Sequence, residues 1–271
     1  MTLTPDLSHL TDLSHRLDRT VFIQASPETV FGYFTDSTRW AAWWGAGSTI
    51  DPRIGGRVLI RFPGGNEVSG HVVEIRPPER IVFTYGFVSG TPIGPGESRV
   101  TIDLAREAGG TRLHLAHEFA DAAARDQHVQ GWRYQLSVFG NLVADDLHAR
   151  TAPVVDAWFA AWADPDAGTR AHSLERIAAA DVQFRDRFSV IDGLTELVLH
   201  MGAYQTFMPG IRLERTGAIR HCQGRVLADW VAKSPDGTPR GAGVNLFELQ
   251  PDGLIAAVTG FWNPPAAPTA S

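Results

Sequence analysis

The chain has 271 residues, 44% of them hydrophobic and 20% charged, the profile of a soluble globular protein of about two domains. A net charge of −6 with no basic block argues against a nucleic-acid surface. The single cysteine, Cys222, excludes an internal disulfide and any Cys-rich metal site.

Residues 1–18 are polar and lack the apolar core of a signal peptide, so they are expected to be a flexible segment. A cytoplasmic location is expected, with which a single cysteine is compatible. No window approaches 18 uninterrupted apolar residues, so no membrane span is expected. "RTVFIQA" (19–25) alternates as a strand does, and "SPETVFGYFTD" opens a helix with Ser26 as cap and Pro27 in the first turn. "WAAWWG" is an aromatic cluster ending at glycine. Strands are expected at Arg57–Phe62, Gly70–Arg76, Arg80–Phe87, Ser98–Arg106 and Thr111–Phe119, separated by turn residues that suit an antiparallel meander. A long helix is expected over Asp121–Ala149, with Val129, Trp132, Leu136, Phe139, Val143 and Leu147 stepping by three or four.

"RTAPVV" near residue 150 marks a boundary, and the pattern restarts. Helices are expected from Pro153, over Ala171–Ala179, and through "GLTELVLHMGAYQTF", stopped by Pro209. "DVQFRDRF" reads as a short strand. Longer strands are expected at Ile211–His221, Arg225–Lys233, Gly241–Gln250 and Leu254–Trp262, and residues 264–271 as a flexible tail. The expected fold class is therefore α+β in two domains, 19–150 and 153–263. In the first, an antiparallel sheet wraps on a long C-terminal helix. In the second, a bent sheet forms a cone open at one end.

The first half resembles the activator-of-heat-shock-protein-90-ATPase homologue family of the START-like SRPBCC superfamily. The motifs that carry this are "ASPETVFGYFTD", "WAAWWG", "DPRIGGRV", "GHVVEIRPPERIVFTY" and "GTRLHLAHEF" followed by "HVQGW". The second half resembles the SnoaL-like branch of the nuclear-transport-factor-2-like superfamily through "IAAADVQFRD", "IDGLTELVLHM", "FMPGIRLERTG", "DWVAKSPDG" and "FELQPDGLIAAVTGFW". Both resemblances imply a helix-grip or cone fold with a deep, mostly apolar pocket, and neither implies a single activity. The second also implies a homodimer paired through the exposed face of its sheet.

In the superfamily that the second half resembles, ketosteroid isomerase pairs an aspartate base with a tyrosine and a protonated aspartic acid. By pattern, Asp186 falls at the base, Trp158 at the tyrosine and Asn245 at the acid. SnoaL-like cyclases keep an aspartate at that last position, and this chain departs from them there. Asn245 and an indole N–H still offer donors to an oxyanion.

Asp229 joins the candidate catalytic set with Asp186 and Asn245 if its hairpin is symmetric about Gly237, which sets residues 229 and 245 opposite each other. A turn one residue shorter puts them on opposite faces. Trp158, Trp162, Trp230, Phe247 and Trp262 are candidate walls of this pocket. Each residue also has a structural reading: a turn for Asp186, a core amide for Asn245, an Arg-paired carboxylate for Asp229, core packing for Trp158 and Trp230. His200 reads as a core histidine and Cys222 as an inert buried thiol.

In the first half Trp40 and Trp44, with Trp43 beside them, form either a cavity mouth or a packed cluster, and Trp132 faces the sheet as either core or a further candidate ligand contact. His114 and His117 point to opposite faces of their strand, so they do not share a metal. No metal or cofactor is expected. Three functions fit: binding of a small hydrophobic ligand in each domain, proton transfer on a hydrophobic carbonyl compound with Asp186 as base, or partnership with a bacterial heat-shock protein.

Overall fold

The computed structural model describes residues 12–263. Residues 1–11 and 264–271, which carry most of the expected flexible segment and the tail, lie outside the described residues. The fold is mixed α+β, with two sheets and six helices among the described residues. The chain divides into two compact units, Met1–Ala144 and Asp145–Ser271. None of the described helices is long and apolar enough to cross a membrane.

The first unit opens with β1 (His15–Ile23), which begins inside the segment expected to be flexible. Its polar residues point outward while Leu17 and Ile23 are buried, and it pairs with β7 (Gly110–Phe119) from His15↔Phe119 to Ile23↔Thr111. Too few apolar residues alternate at 15–18 to mark the strand locally. Ser26 caps α1 (Pro27–Gly32) by accepting from Thr29 N. The "WAAWWG" cluster is a helix, α2 (Ser37–Trp44), capped by Asp36 and closed by Gly45 at φ 141°. Then follow β2 (Thr49–Ile50), β3 (Arg57–Arg61), β4 (Glu67–Arg76), β5 (Arg80–Tyr85) and β6 (Ser98–Glu107). The order β1-β7-β6-β5-β4-β3-β2 is an antiparallel meander with β1 added at its edge. The long helix α3 (Ala122–Leu147) carries Trp132, Leu136, Phe139 and Val143 buried on one side. Phe139 meets Tyr33, Phe34 and Trp43 at centroid distances of 5.7, 5.1 and 4.8 Å.

The second unit contains α4 (Ala152–Ala161), α5 (Ala167–Glu175), β8 (Ala178–Arg185), β9 (Val190–Asp192), α6 (Leu194–Phe207), β10 (Arg212–Cys222), β11 (Arg225–Lys233), β12 (Pro239–Leu249) and β13 (Ile255–Trp262). The sheet order is β10-β11-β12-β13-β8-β9, with β13 and β8 parallel and the other pairs antiparallel. The helix expected at 171–179 starts earlier, where Asp166 caps it, and ends at Glu175. Ala178 and Ala179 open β8 instead. An alanine run favours helix locally, but here the parallel pairing with β13 overrides it.

The β11–β12 hairpin differs from the symmetric expectation by one residue. Asn245 stands opposite Ala228, and Asp229 opposite Val244, with an irregularity at Ala232/Lys233. Because strand side chains alternate, this shift sends Asp229 to the other face. There it forms an ion pair with Arg220 at 2.8 Å.

Candidate functional site

Each unit holds an aromatic-lined cavity among the described residues. In the first, of about 680 Å³, the wall is largely aromatic: Trp43 and Trp44 from α2, Phe62, Tyr85, Phe87, and Trp132 from α3. Helical spacing explains α3's part. His128, Trp132 and Gln135 lie at i, i+4 and i+7, on one face. Gln127, Gly131, Tyr134 and Val138 lie on the adjoining stripe at the rim. No lining side chain is Lys, Arg, Asp or Glu.

Beneath the aromatic wall runs a buried hydrogen-bond chain. Trp132 Nε1 can only donate, and it donates to His117 Nδ1 at 2.8 Å. His117, fully buried, therefore carries its proton on Nε2 and donates it to Ser98 Oγ at 2.8 Å. Ser98 passes its own hydrogen to Tyr85 O at 2.8 Å. Burial, and His128 nearby, hold His117 well below its ordinary value of 6.5. Burial also lowers His128, against an opposing hydrogen bond to Ala124 O. It raises the Tyr85 phenol. His114, on the outer face of β7, pairs with Asp18 at 2.9 Å.

These two neutral imidazoles make a testable statement about pH. Unfolding lets both take up protons below pH 6.5, so their contribution is complete above that value and is lost as pH falls below it. Each proton taken up costs about 1.4 kcal/mol per pH unit. The carboxylates with lowered values, such as Asp18 and Glu74, act in a separate window below about pH 4.5. Urea midpoints are therefore expected to fall between pH 7 and pH 5. A midpoint constant over that range contradicts the assigned neutral states.

The structure places Trp44 and Trp132 in the cavity wall but not Trp40. That indole is wholly buried, donates to Leu59 O at 3.1 Å, and packs against Phe34 and Phe83. Residues the sequence reading did not single out are His128, Tyr85 and Gln135, whose Nε2 donates to Trp43 O. The one local signal for His128 is its position a single turn before Trp132.

The second cavity, of about 260 Å³, gathers Trp162, Asp186, Trp230, Asn245 and Trp262 into one wall, with His200, Ser189 and Tyr204. Asp186 follows β8. Its Oδ1 accepts from Phe188 N at 2.8 Å and its Oδ2 from Trp262 Nε1 at 3.1 Å. Asn245 projects inward from β12, and Trp230 Nε1 donates to its Oδ1 at 2.9 Å. That bond fixes the amide: the oxygen faces Trp230, and the Nδ2 hydrogens lie on the other side. Gly260, opposite Asn245, supplies the room. A Cβ there stands 3.2 Å from Asn245 Oδ1 and 3.4 Å from Asp186 Cβ, so the two polar side chains flank one point.

Other expectations are corrected. Trp158 is wholly buried and does not line the cavity; it packs against Phe184 and Phe247, both at 5.9 Å. Phe247 is core as well. Asp229 faces away, as described above. His200 is half-buried rather than core, lining the cavity 3.2 Å from Ser189 Oγ. Cys222 is exposed. Among the described residues no group of three or more His, Cys, Asp or Glu is placed to hold a metal ion.

The family described as activator of Hsp90 ATPase homolog 1-like protein matches residues 24–144. No curated protein matches the chain. Among solved structures, the chain is similar to an AHSA1-like protein from Rhizobium etli, at 29% identity over 48% of this chain and 81% of that one, with a TM-score of 0.40. It is also similar to the Aha1 dimer from Colwellia psychrerythraea, at 16% identity over 48% and 96%, TM-score 0.42. A third is a SnoaL-like family protein from Agrobacterium tumefaciens whose name carries a provisional isomerase assignment, at 23% identity over 44% and 99%, TM-score 0.41.

Proposed function

We propose that the protein binds small hydrophobic molecules, with one ligand cavity in a START-like helix-grip unit and a second in a cone-shaped SnoaL-like unit. The observation that carries this reading is the first cavity. Its volume of about 680 Å³ lies within the usual range of small-molecule sites, and its lining is aromatic and uncharged. Burial of apolar ligand surface supplies the affinity, at roughly 25 cal/mol per Å² before the costs of association. Titration of the full chain with N-phenyl-1-naphthylamine tests it. Saturable dye fluorescence with a change in tryptophan emission is the expected result. A linear, non-saturating response removes the reading.

A second reading is proton transfer in the smaller cavity, favoured by Asp186 and the oriented Asn245 amide lining the same hollow. On a β,γ-unsaturated ketone, Asp186 takes the proton between carbonyl and alkene. Asn245 Nδ2 donates to the dienolate oxygen, and the same proton returns at the γ carbon. Such general-base steps are worth about 10²–10⁴ in rate. The conversion of such a ketone, followed by the absorbance of the conjugated product, is expected to slow at least about 100-fold in Asp186→Asn. An equal rate in that variant rules out Asp186 as the base.

A further inference from the structure

Two nitrogen atoms in the wall of the first cavity lack a hydrogen-bond partner among the described residues, and they are of opposite kind. His128 donates from Nδ1 to Ala124 O at 2.7 Å. A neutral imidazole has one N–H, so Nε2 carries a lone pair and can only accept. That atom is buried and unpartnered, and the residue keeps 8% of its surface exposed. The ring is enclosed by aromatic neighbours, Tyr85, Phe119 and His117, at centroid distances of 5.7, 4.9 and 5.2 Å. No protein hydrogen bond reaches Nε2 there. Trp44 Nε1 is the converse: an indole N–H can only donate, and this one too is buried and unpartnered. Both side chains line the same hollow, and both flank Trp132 or its contacts.

An orphaned buried polar atom costs about 1–3 kcal/mol, and two side chains that line this cavity each carry one. A ligand removes the cost if it brings both a donor and an acceptor. The uncharged wall narrows the chemistry. A carboxylate has no hydrogen to give His128 and finds no cation in the lining, and an ammonium finds no anion. An ether or ketone accepts but does not donate. A hydroxyl does both. The flat rings of Trp43, Trp44, Phe62 and Phe87 favour a ligand that presents an aromatic face.

We propose that the first cavity selects neutral hydroxylated aromatic compounds, with the hydroxyl donating to His128 Nε2 and Trp44 Nε1 donating to an oxygen of the same ligand. This rests on the binding reading above and adds to it a polar anchor and a ligand class.

The test uses the full chain at pH 7 and two probes, 2-naphthol and 2-methoxynaphthalene, which share size and an oxygen but differ in the donor. Calorimetric titration is expected to show 2-naphthol binding about tenfold tighter. In His128→Phe, which keeps a flat ring but removes the acceptor, the two probes are expected to bind alike. In Trp44→Phe both are expected to weaken together. Thermal melts report whether each variant is folded, and the comparison of probes on the unaltered chain needs no variant. Equal affinity of the two probes for the unaltered chain overturns the proposal while leaving apolar binding intact. So does a tenfold preference that persists in His128→Phe. Failure of both probes to bind overturns the binding reading and this proposal with it.

Discussion

Replacing Gly131 with phenylalanine is expected to abolish binding in the first cavity while leaving the chain folded. Gly131 lies on α3 at the cavity rim, and a Cβ built there meets no atom within 4 Å. The first atom of a larger side chain therefore meets open space at the mouth, and the ring beyond it is expected to obstruct the entrance. Glycine is also a poor residue for a helix interior, about 0.5 kcal/mol worse than phenylalanine, so the substitution does not weaken the helix. The expected readout is at least a tenfold rise in the dissociation constant for N-phenyl-1-naphthylamine, with circular dichroism and melting temperature unchanged or slightly improved. Unchanged affinity in a folded variant places the dye elsewhere.

Gly86→Ala is expected to have the largest effect on stability. Gly86 directly follows β5, and a Cβ there stands 1.6 Å from Gly94 O and 2.3 Å from Gly94 C. Both are backbone atoms, which no rotamer change relieves. The segment is held in that close approach by Phe87 N to Ile93 O at 2.8 Å and Ser69 N to Gly86 O at 2.9 Å. Accommodating a methyl group forces these apart, and they position Phe87 and Pro92, which line the larger cavity. A loss of about 4 kcal/mol or more is expected, an exceptional value for one methyl group. Urea denaturation measures it, and a loss below about 1 kcal/mol contradicts the close packing of this loop.

How much of this was legible in the sequence varies with the range of the interactions involved. The meander of the first unit and the long helix after it were readable because alternation and the 3.6-residue period act within a few residues. The aromatic cluster at 40–44 was readable as a cluster but not as a helix. Its start depends on the Asp36 cap and its end on Gly45, and both were overshadowed by the tryptophans. The indoles could not be sorted in advance. Trp40 and Trp44 lie four residues apart on one short helix, yet one is core and the other faces the cavity, because Leu59 O of a different strand claims the Trp40 N–H. Trp158 and Trp162 divide in the same way, with Trp158 packed between Phe184 and Phe247.

Sequence alone determined the local periodicities and the restart of the pattern near residue 150, each set by residues close along the chain, while the candidate pair Asp186 and Asn245 came from the resemblance of the second half to a known superfamily. Tertiary structure decided what depends on distant partners. The one-residue offset in the β11–β12 hairpin turned Asp229 away from the cavity and kept Asn245 inside it. Folding also brought Trp230 and Trp262 to orient Asn245 and Asp186. In the other unit it enclosed His128 among aromatic rings, with one nitrogen bound to the backbone and the other left open. Strand register and the satisfaction of buried polar atoms are properties of pairs that meet only when the chain folds, so no single stretch of residues encodes them.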